Sequence, residues 1–323
     1  MAEAARPLRI WAVSDGRAGI EAQALGLAEA VARLRPAHII TKRIGWKAGL
    51  GRLPWSWIPL AARTGDPVAA PWPDIWIASG RATLPFSTRM LSLAAGKTFV
   101  VQTQDPRAPL SRFDLVIPPT HDGLVGDNVF SILGAPNRIS SERLAVERAK
   151  FQDAFAALPH PVVAVMVGGK SRAHDLPHQQ ATTMAHQIAV AVRAAGGSVL
   201  VSFTRRTPQP AREALAAGLG SLPGIIWDGT GENPYFGFLA RADAILVTED
   251  STNLATDAAA TGKPLFILAM RGRSAKLARF HQDLEARGIS RPFVGDLTAA
   301  SYEPLAETDR AARELLRRYD GST

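Results

Sequence analysis

Short apolar runs closed by polar or glycine-containing turns alternate along this chain with longer amphipathic stretches, the pattern of strands that feed helices. Residues 8–14 (LRIWAVS) lead into Asp15-Gly16-Arg17-Ala18-Gly19, and residues 21–34 then set Ala24, Leu25, Ala28, Val31 and Leu34 along one helical face. That predicts strand, loop and helix. Residues 38–42, 74–79 (DIWIAS), 98–102, 114–117 and 129–133 (VFSIL) predict further strands, with a helix to about residue 95 after the run at 74–79. A charged amphipathic helix over residues 141–158 precedes Pro159-His160-Pro161, which reads as a linker.

After the linker the opening layout returns. Residues 162–167 are apolar, Gly168-Gly169-Lys170-Ser171-Arg172-Ala173-His174 forms a glycine-containing loop, and a long helix runs to residue 195. Residues 198–203 predict a strand ending in Thr204-Arg205-Arg206-Thr207, and Ile225 and Ile226 begin another. The most informative run is residues 242–268. Apolar residues 244–248 lead into the turn Thr248-Glu249-Asp250-Ser251-Thr252-Asn253, an alanine-rich helix over 254–261, a stop at Gly262, and a strand over 265–268. A strand, helix and strand in that order form a βαβ crossover, so the sheet is parallel. Helices to residue 287 and over 304–318 close the chain. The fold class expected is therefore α/β, with two Rossmann-like domains whose parallel sheets face a cleft. The expected division is residues 1–158, residues 159–300, and a C-terminal helix in 301–323 that packs back on the first domain.

Composition narrows the function classes. The 323 residues are 46% hydrophobic and 20% charged, which suits an ordinary globular chain of about two domains. No cysteine is present, so disulfides, thiolate metal sites and a cysteine nucleophile are excluded. A formal charge of +8 favours anionic partners such as nucleotide diphosphates or anionic lipid, whereas no basic block or RNA-binding aromatic motif points to nucleic acid. The N-terminal residues lack a signal-peptide pattern and no long apolar run occurs, so the expected location is cytoplasmic or peripheral on the inner membrane. Residues 46–62 gather Trp46, Trp55 and Trp57 with Lys47 and Arg52, a candidate contact for an anionic membrane surface, a lining for an apolar acceptor groove, or a cover for the first core.

Strand ends of a parallel sheet converge on one edge, where free N–H groups and helix dipoles favour anions. In the second half, Gly168, Gly169, Lys170, Ser171 and Arg172 on one strand end and Arg205 and Arg206 on the next form a candidate phosphate site. Ser251 and Thr252 add hydroxyls, and Asp257 lies one and a half turns into the helix, where it can meet a ribose; the same residues also suit a plain helix cap. In the first half Asp15 follows the first strand, and His121 and Asp122 follow a later one. Asp15 is a candidate general base and equally a turn-former. His174 and His178 stand four apart with Pro177 between them, and no metal-ligand spacing appears.

Residues 242–268 resemble the donor half of GT-B glycosyltransferases. Ser251, Thr252, Asp257, Gly262 and Pro264 are similar to the pattern with which the peptidoglycan N-acetylglucosaminyltransferase closes its nucleotide-sugar site, with Asp in place of the usual Glu. Across nearly the whole chain, runs such as SDGRAGIEAQALGLAEA, GAPNRIS, VGGKSRAH, SFTRRTP and WDGTGENPYFGFLARADAILVTEDS resemble the bacterial branch of the family named after a plant mitochondrial fission factor. The resemblance implies a metal-independent, GT-B-like glycosyltransferase acting on a nucleotide sugar and a cell-envelope or lipid-linked acceptor, with no cofactor beyond its donor substrate. The alternative it implies is a non-enzymatic membrane-associated or partner-binding protein built on that scaffold. A short-chain epimerase is excluded, because Tyr235 and Tyr302 are followed four positions later by Leu239 and Ala306 rather than lysine. A P-loop is excluded because no Gly-Lys pair has the required spacing.

Overall fold

The central strands of the two main sheets are aliphatic or aromatic runs, and in a parallel sheet covered on both faces such runs are buried throughout. The computed structural model describes residues 6–298 and 300–322. The chain divides into two units: one runs to Arg138 and resumes at Ala306, and the other is Ile139–Leu305.

In the first unit β1 (Leu8–Ser14), β2 (Ala37–Trp46), β3 (Arg63–Gly65), β4 (Ile75–Ser79), β5 (Phe99–Thr103) and β6 (Leu115–Ile117) form one sheet in the order β3-β2-β1-β4-β5-β6. All neighbours pair parallel except β2 with β3. Alternation along β1 sends Leu8, Ile10 and Ala12 into one core and Trp11 and Val13 into the other. Helix α1 (Ala18–Leu34) covers the first face. Its buried face includes Ala24, Leu27, Ala28 and Val31, while Leu34 is 47% exposed, so the apolar stripe is rotated from the one read in the sequence. Short helices α2 (Leu84–Ser87) and α3 (Met90–Leu93) cover the other face in place of a continuous helix.

The second unit repeats this plan. Strands β7 (Val162–Val167), β9 (Ser198–Phe203), β10 (Gly224–Ile226), β11 (Ala244–Thr248), β12 (Leu265–Leu268) and β14 (Ser290–Pro292) take the order β10-β9-β7-β11-β12-β14, all parallel. β8 (His174–Asp175) and β13 (Arg271–Gly272) form a separate antiparallel ribbon. Helices α4 (Ser141–Lys150), α5 (Gln152–Phe155), α6 (His178–Ala194), α7 (Gln209–Leu219), α8 (Tyr235–Arg241), α9 (Thr252–Ala259) and α10 (Ala275–Ala286) complete it.

Some expectations change. Residues 129–133 are no sixth strand of the first sheet; they touch β6 and its exit only through bridges Val116 to Val129 and Pro119 to Ile132. The helix expected over 141–158 breaks at Phe151 into α4 and α5. The units part at Arg138, not at residues 159–161, because α4 packs on α8 and the Phe155 ring lies tilted 6.0 Å from that of Phe238. In residues 46–62, Trp46 and Trp55 pack on the first unit's core, Ile58 is buried, and Trp57 stands 73% exposed. Among the described residues no helix is long and apolar enough to cross a membrane.

The last helix, α11 (Glu307–Ser322), lies against α1 and contributes Ala311, Ala312 and Leu315 to the first unit's core. Its first turn is fixed by polar contacts. Glu307 accepts from the Leu133 N–H at 2.9 Å and Thr308 from the Asn137 N–H at 3.0 Å. Leu315 is fully buried. Leu315→Ala is therefore expected to destabilise the first unit by roughly 2–5 kcal/mol through a lost side chain and residual cavity. Tryptophan fluorescence in a denaturant series reads this directly, since every tryptophan but Trp227 lies in that unit. A loss below about 1 kcal/mol contradicts the packing described.

Candidate functional site

The second sheet reverses its winding at β7, which pairs with β9 on one side and β11 on the other. At such a switch point the strand exits diverge and leave room for a ligand. Here a carboxylate occupies the point where the three exits meet. Asp250, at the exit of β11, is fully covered, and its Oδ2 accepts from the Gly169 N–H at 3.0 Å and lies 2.7 Å from Arg206 Nη2. Its Oδ1 accepts from the Thr248 hydroxyl at 2.8 Å, and that hydroxyl oxygen in turn accepts from the Gly168 N–H at 2.7 Å.

This arrangement explains the paired glycines. A Cβ on Gly168 would sit 2.1 Å from Asp250 Oδ1, and one on Gly169 would sit 2.2 Å from the Arg206 carbonyl oxygen. The glycines serve close approach, and the rest of the loop is equally committed. The Lys170 N–H donates to the Arg206 carbonyl at 2.9 Å, the Ser171 N–H to the His174 carbonyl at 2.9 Å, and the Ser171 hydroxyl oxygen accepts from the Ala173 and His174 N–H groups. From Gly168 to Ser171, every backbone donor already has an acceptor within the protein. The loop therefore differs from a phosphate cradle, in which those N–H groups face the ligand.

The side chains give a different picture. Lys170, Arg172 and Arg205 are exposed and form no side-chain hydrogen bond or ion pair among the described residues, and Arg206 keeps 41% of its side chain exposed beyond Asp250. The ribbon of β8 and β13 brings Arg271 opposite Asp175, and the Arg273 N–H donates to the Ala173 carbonyl at 3.0 Å. Exposed guanidinium and ammonium groups thus gather on one edge around a neutralised core, a geometry suited to a polyanion. The Glu249 carboxylate is turned toward the backbone, its Oε1 accepting from the Met270 N–H at 2.5 Å.

The remaining sequence candidates fall into place around this centre. Ser251 is the N-cap of α9, its hydroxyl oxygen accepting from the Leu254 N–H. Thr252 opens the helix. Asp257 accepts from the Tyr235 hydroxyl at 2.7 Å, and burial together with that carboxylate raises the Tyr235 phenol well above its ordinary range. One oxygen of Asp257 is therefore held by protein. Thr248 and Thr207 were not singled out in the sequence. The Thr207 hydroxyl donates to the carbonyl oxygens of Val167 and Gly168, so each threonine ties a neighbouring strand exit to β7.

The first unit's candidates separate. Asp15 accepts from the Arg17 N–H at 3.1 Å and pairs with the Arg17 guanidinium at 2.7 Å, a turn closed by its own neighbour. His121 is buried and Asp122 half-buried on a single turn after β6. β4 and β5 lie between β1 and β6, so Asp15 and the His121 turn stand roughly 14 Å apart across three strand spacings. They do not act on one atom together. At this unit's own switch point the buried Gln23 accepts from Gln104 Nε2 at 2.9 Å and from Ser79 at 3.2 Å. Gln104 and Arg107 hold positive φ values of 69° and 48°, strain that a loop at a functional edge often carries.

Comparison with known proteins adds four findings. The sequence matches the family described as mitochondrial fission ELM1 over residues 18–319. It is 34% identical over 276 residues to the mitochondrial fission protein ELM1 of Arabidopsis thaliana, a match covering 76% of this chain and 64% of that protein. It is 27% identical to an uncharacterized protein of Rickettsia prowazekii (strain Madrid E), over 94% of this chain and 97% of that one. Among solved structures, the UDP-GlcNAc 2-epimerase of Neisseria meningitidis bound to UDP-GlcNAc superposes with a TM-score of 0.52 at 12% identity, covering 96% of this chain and all of that one. The fold is that of the GT-B class.

A half-buried histidine backs the site. His281 on α10 donates from Nε2 to the Glu249 carbonyl oxygen at 2.8 Å, its Nδ1 is buried without a hydrogen-bond partner, and burial lowers its pKa below the ordinary 6.5. In the window just below 6.5 the unfolded chain binds a proton that the folded chain refuses, so stability falls as pH is lowered through it. His281→Gln is expected to flatten that part of the stability profile of the second unit between pH 7 and pH 5. An unchanged slope in denaturation at the two pH values contradicts the assignment.

Proposed function

From the premise that this chain belongs to the mitochondrial fission ELM1 family and has the GT-B fold, we propose that it binds a nucleoside diphosphate sugar at the exit edge of the second sheet. The observation that carries this reading is the set of unengaged cations Lys170, Arg172 and Arg205 beside the Asp250–Arg206 pair. Their side chains supply the positive charge that the occupied loop N–H groups do not. The Neisseria protein, named for UDP-GlcNAc and bound to it, makes that nucleotide sugar the first to test.

Glycosyl transfer to a hydroxyl acceptor is the reaction this binding serves best. The bond from the anomeric carbon to the diphosphate oxygen breaks, the diphosphate leaves with its negative charge held by the cationic edge, and the acceptor oxygen loses its proton to a base. Asp15, His121 and Asp122 remain the candidates for that base. The Arg17 clasp on Asp15 favours a second reading, nucleotide-sugar binding without turnover, as in a partner-binding protein. The exclusion of a short-chain epimerase from the tyrosine pattern does not reach epimerases of the GT-B fold, so product analysis includes the 2-epimer.

Calorimetry with UDP, ADP, GDP and UDP-GlcNAc tests the proposal. Binding of at least one diphosphate is expected, equal with and without chelator and weakened by rising salt. Lys170→Ala combined with Arg205→Ala should weaken it roughly 10-fold to 100-fold, as expected for lost charged contacts. Arg206 is left intact because it also holds Asp250. No binding to any of the four, or an affinity unchanged in the double variant, overturns the proposal.

A further inference from the structure

The entry edge of the second sheet, where its parallel strands begin, carries a separate basic cavity. His160 precedes β7, Arg241 and Asp243 precede β11, and Lys263 precedes β12, so all four lie at the edge opposite Asp250. A cavity of about 280 Å3 there is lined by Arg148, Gln152, Phe155, Ala156, His160 and Arg241. No carboxylate lines it.

The polar groups around the cavity are fixed in a way that leaves cationic character facing it. Asp243 is the near carboxylate, and its Oδ2 accepts from the Val162 N–H at 2.7 Å and from His160 Nδ1 at 2.6 Å. His160 Nε2 accepts from Arg241 Nη2 at 2.9 Å, which sets the ring as the Nδ1–H tautomer. The Arg241 side chain is only 10% exposed and its Nη1 lies 3.8 Å from Asp243. The Arg148 side chain makes no hydrogen bond or ion pair among the described residues and is exposed on α4. Behind them Lys263 Nζ donates to the carbonyl oxygens of Leu239 and Ala240, both at 2.7 Å, closing the end of α8. Burial first, and then the charges of Arg148 and Arg241, push the Lys263 pKa down to about 8 against the pull of Asp243. Three cations less one carboxylate leave two net positive charges at this edge.

We propose that this cavity is a second anion site, built for a phosphate monoester dianion carried on a small polar group. The unengaged Arg148 guanidinium suits a pair of phosphate oxygens, Arg241 adds positive charge held in place by His160 and Asp243, Gln152 adds an amide donor, the buried Phe155 forms an apolar floor, and the volume exceeds that of a bare phosphate. The same headgroup chemistry comes from a soluble phosphate ester or from the head of an anionic phospholipid. The site shares no residue with the nucleotide edge, so either proposal stands or falls without the other.

The test uses the whole protein with Lys170→Ala and Arg205→Ala in place, which silences the nucleotide edge, and compares it with the same chain also carrying Arg148→Ala. One arm titrates sn-glycerol 3-phosphate by calorimetry, and the other floats the protein with phosphatidylcholine vesicles with and without phosphatidic acid. Saturable binding in either arm, weakened at least 10-fold by Arg148→Ala at an unchanged melting temperature, supports the site, and the responding arm identifies the source of the phosphate. Arg241→Gln, which keeps a donor toward His160, should weaken binding in the same arm. Binding in neither arm, or binding that Arg148→Ala leaves intact, overturns the proposal.

Discussion

The Asp250 carboxylate is the constraint on which the second unit's functional edge depends. A buried carboxylate must be neutralised and hydrogen-bonded, because removing an unpaired charge from water costs several kcal/mol. Here the partners come from three different strand exits: the Thr248 hydroxyl from β11, the Gly169 N–H from β7, and the Arg206 guanidinium from β9. Satisfying one charge therefore fixes three loops. The glycines at 168 and 169 follow, since any side chain there would displace either the carboxylate or the Arg206 carbonyl.

That constraint redirects the chemistry. In many α/β proteins the glycine loop and the helix N-terminus hold phosphate with backbone N–H groups. In this chain an internal carboxylate already fills that position, and Ser251 caps α9 with its own hydroxyl. The exposed charge at this edge lies instead in the side chains on the rim, Lys170, Arg172 and Arg205, with the ribbon of β8 and β13 adding Arg271 and Arg273. Side-chain recognition is longer in reach and more salt-sensitive than a backbone cradle.

Much of the fold was legible because it rests on local pattern. Apolar runs such as residues 162–167 and 244–248, each closed by a polar turn, can hardly be anything but buried strands, and the repeat of strand, glycine loop and helix predicts two parallel sheets. Residues 129–133 carry the same local pattern, yet β6 meets them only through single bridges, so period alone did not separate strand from packed loop. The ribbon of β8 and β13 is too short to have a period at all. At the candidate site, the strand exits marked in the sequence lie on neighbouring strands, and Lys170, Arg172 and Arg205 stand exposed beside them. The sequence could not show that Gly169 serves Asp250, which lies 81 positions later, rather than a ligand. Nor could it show that Arg17 closes on Asp15 and Tyr235 on Asp257, because both are choices of partner made by three-dimensional packing.

Amide hydrogen exchange at Gly168, Gly169, Lys170 and Ser171 in the ligand-free protein tests this account most directly. If all four N–H groups are bound within the protein, they exchange as slowly as the amides of β7 itself, and a nucleotide diphosphate adds little further protection. Exchange at the rate of an open loop, with protection appearing only when a diphosphate is added, would mean that the loop is a backbone phosphate cradle after all and that Asp250 does not hold the position described.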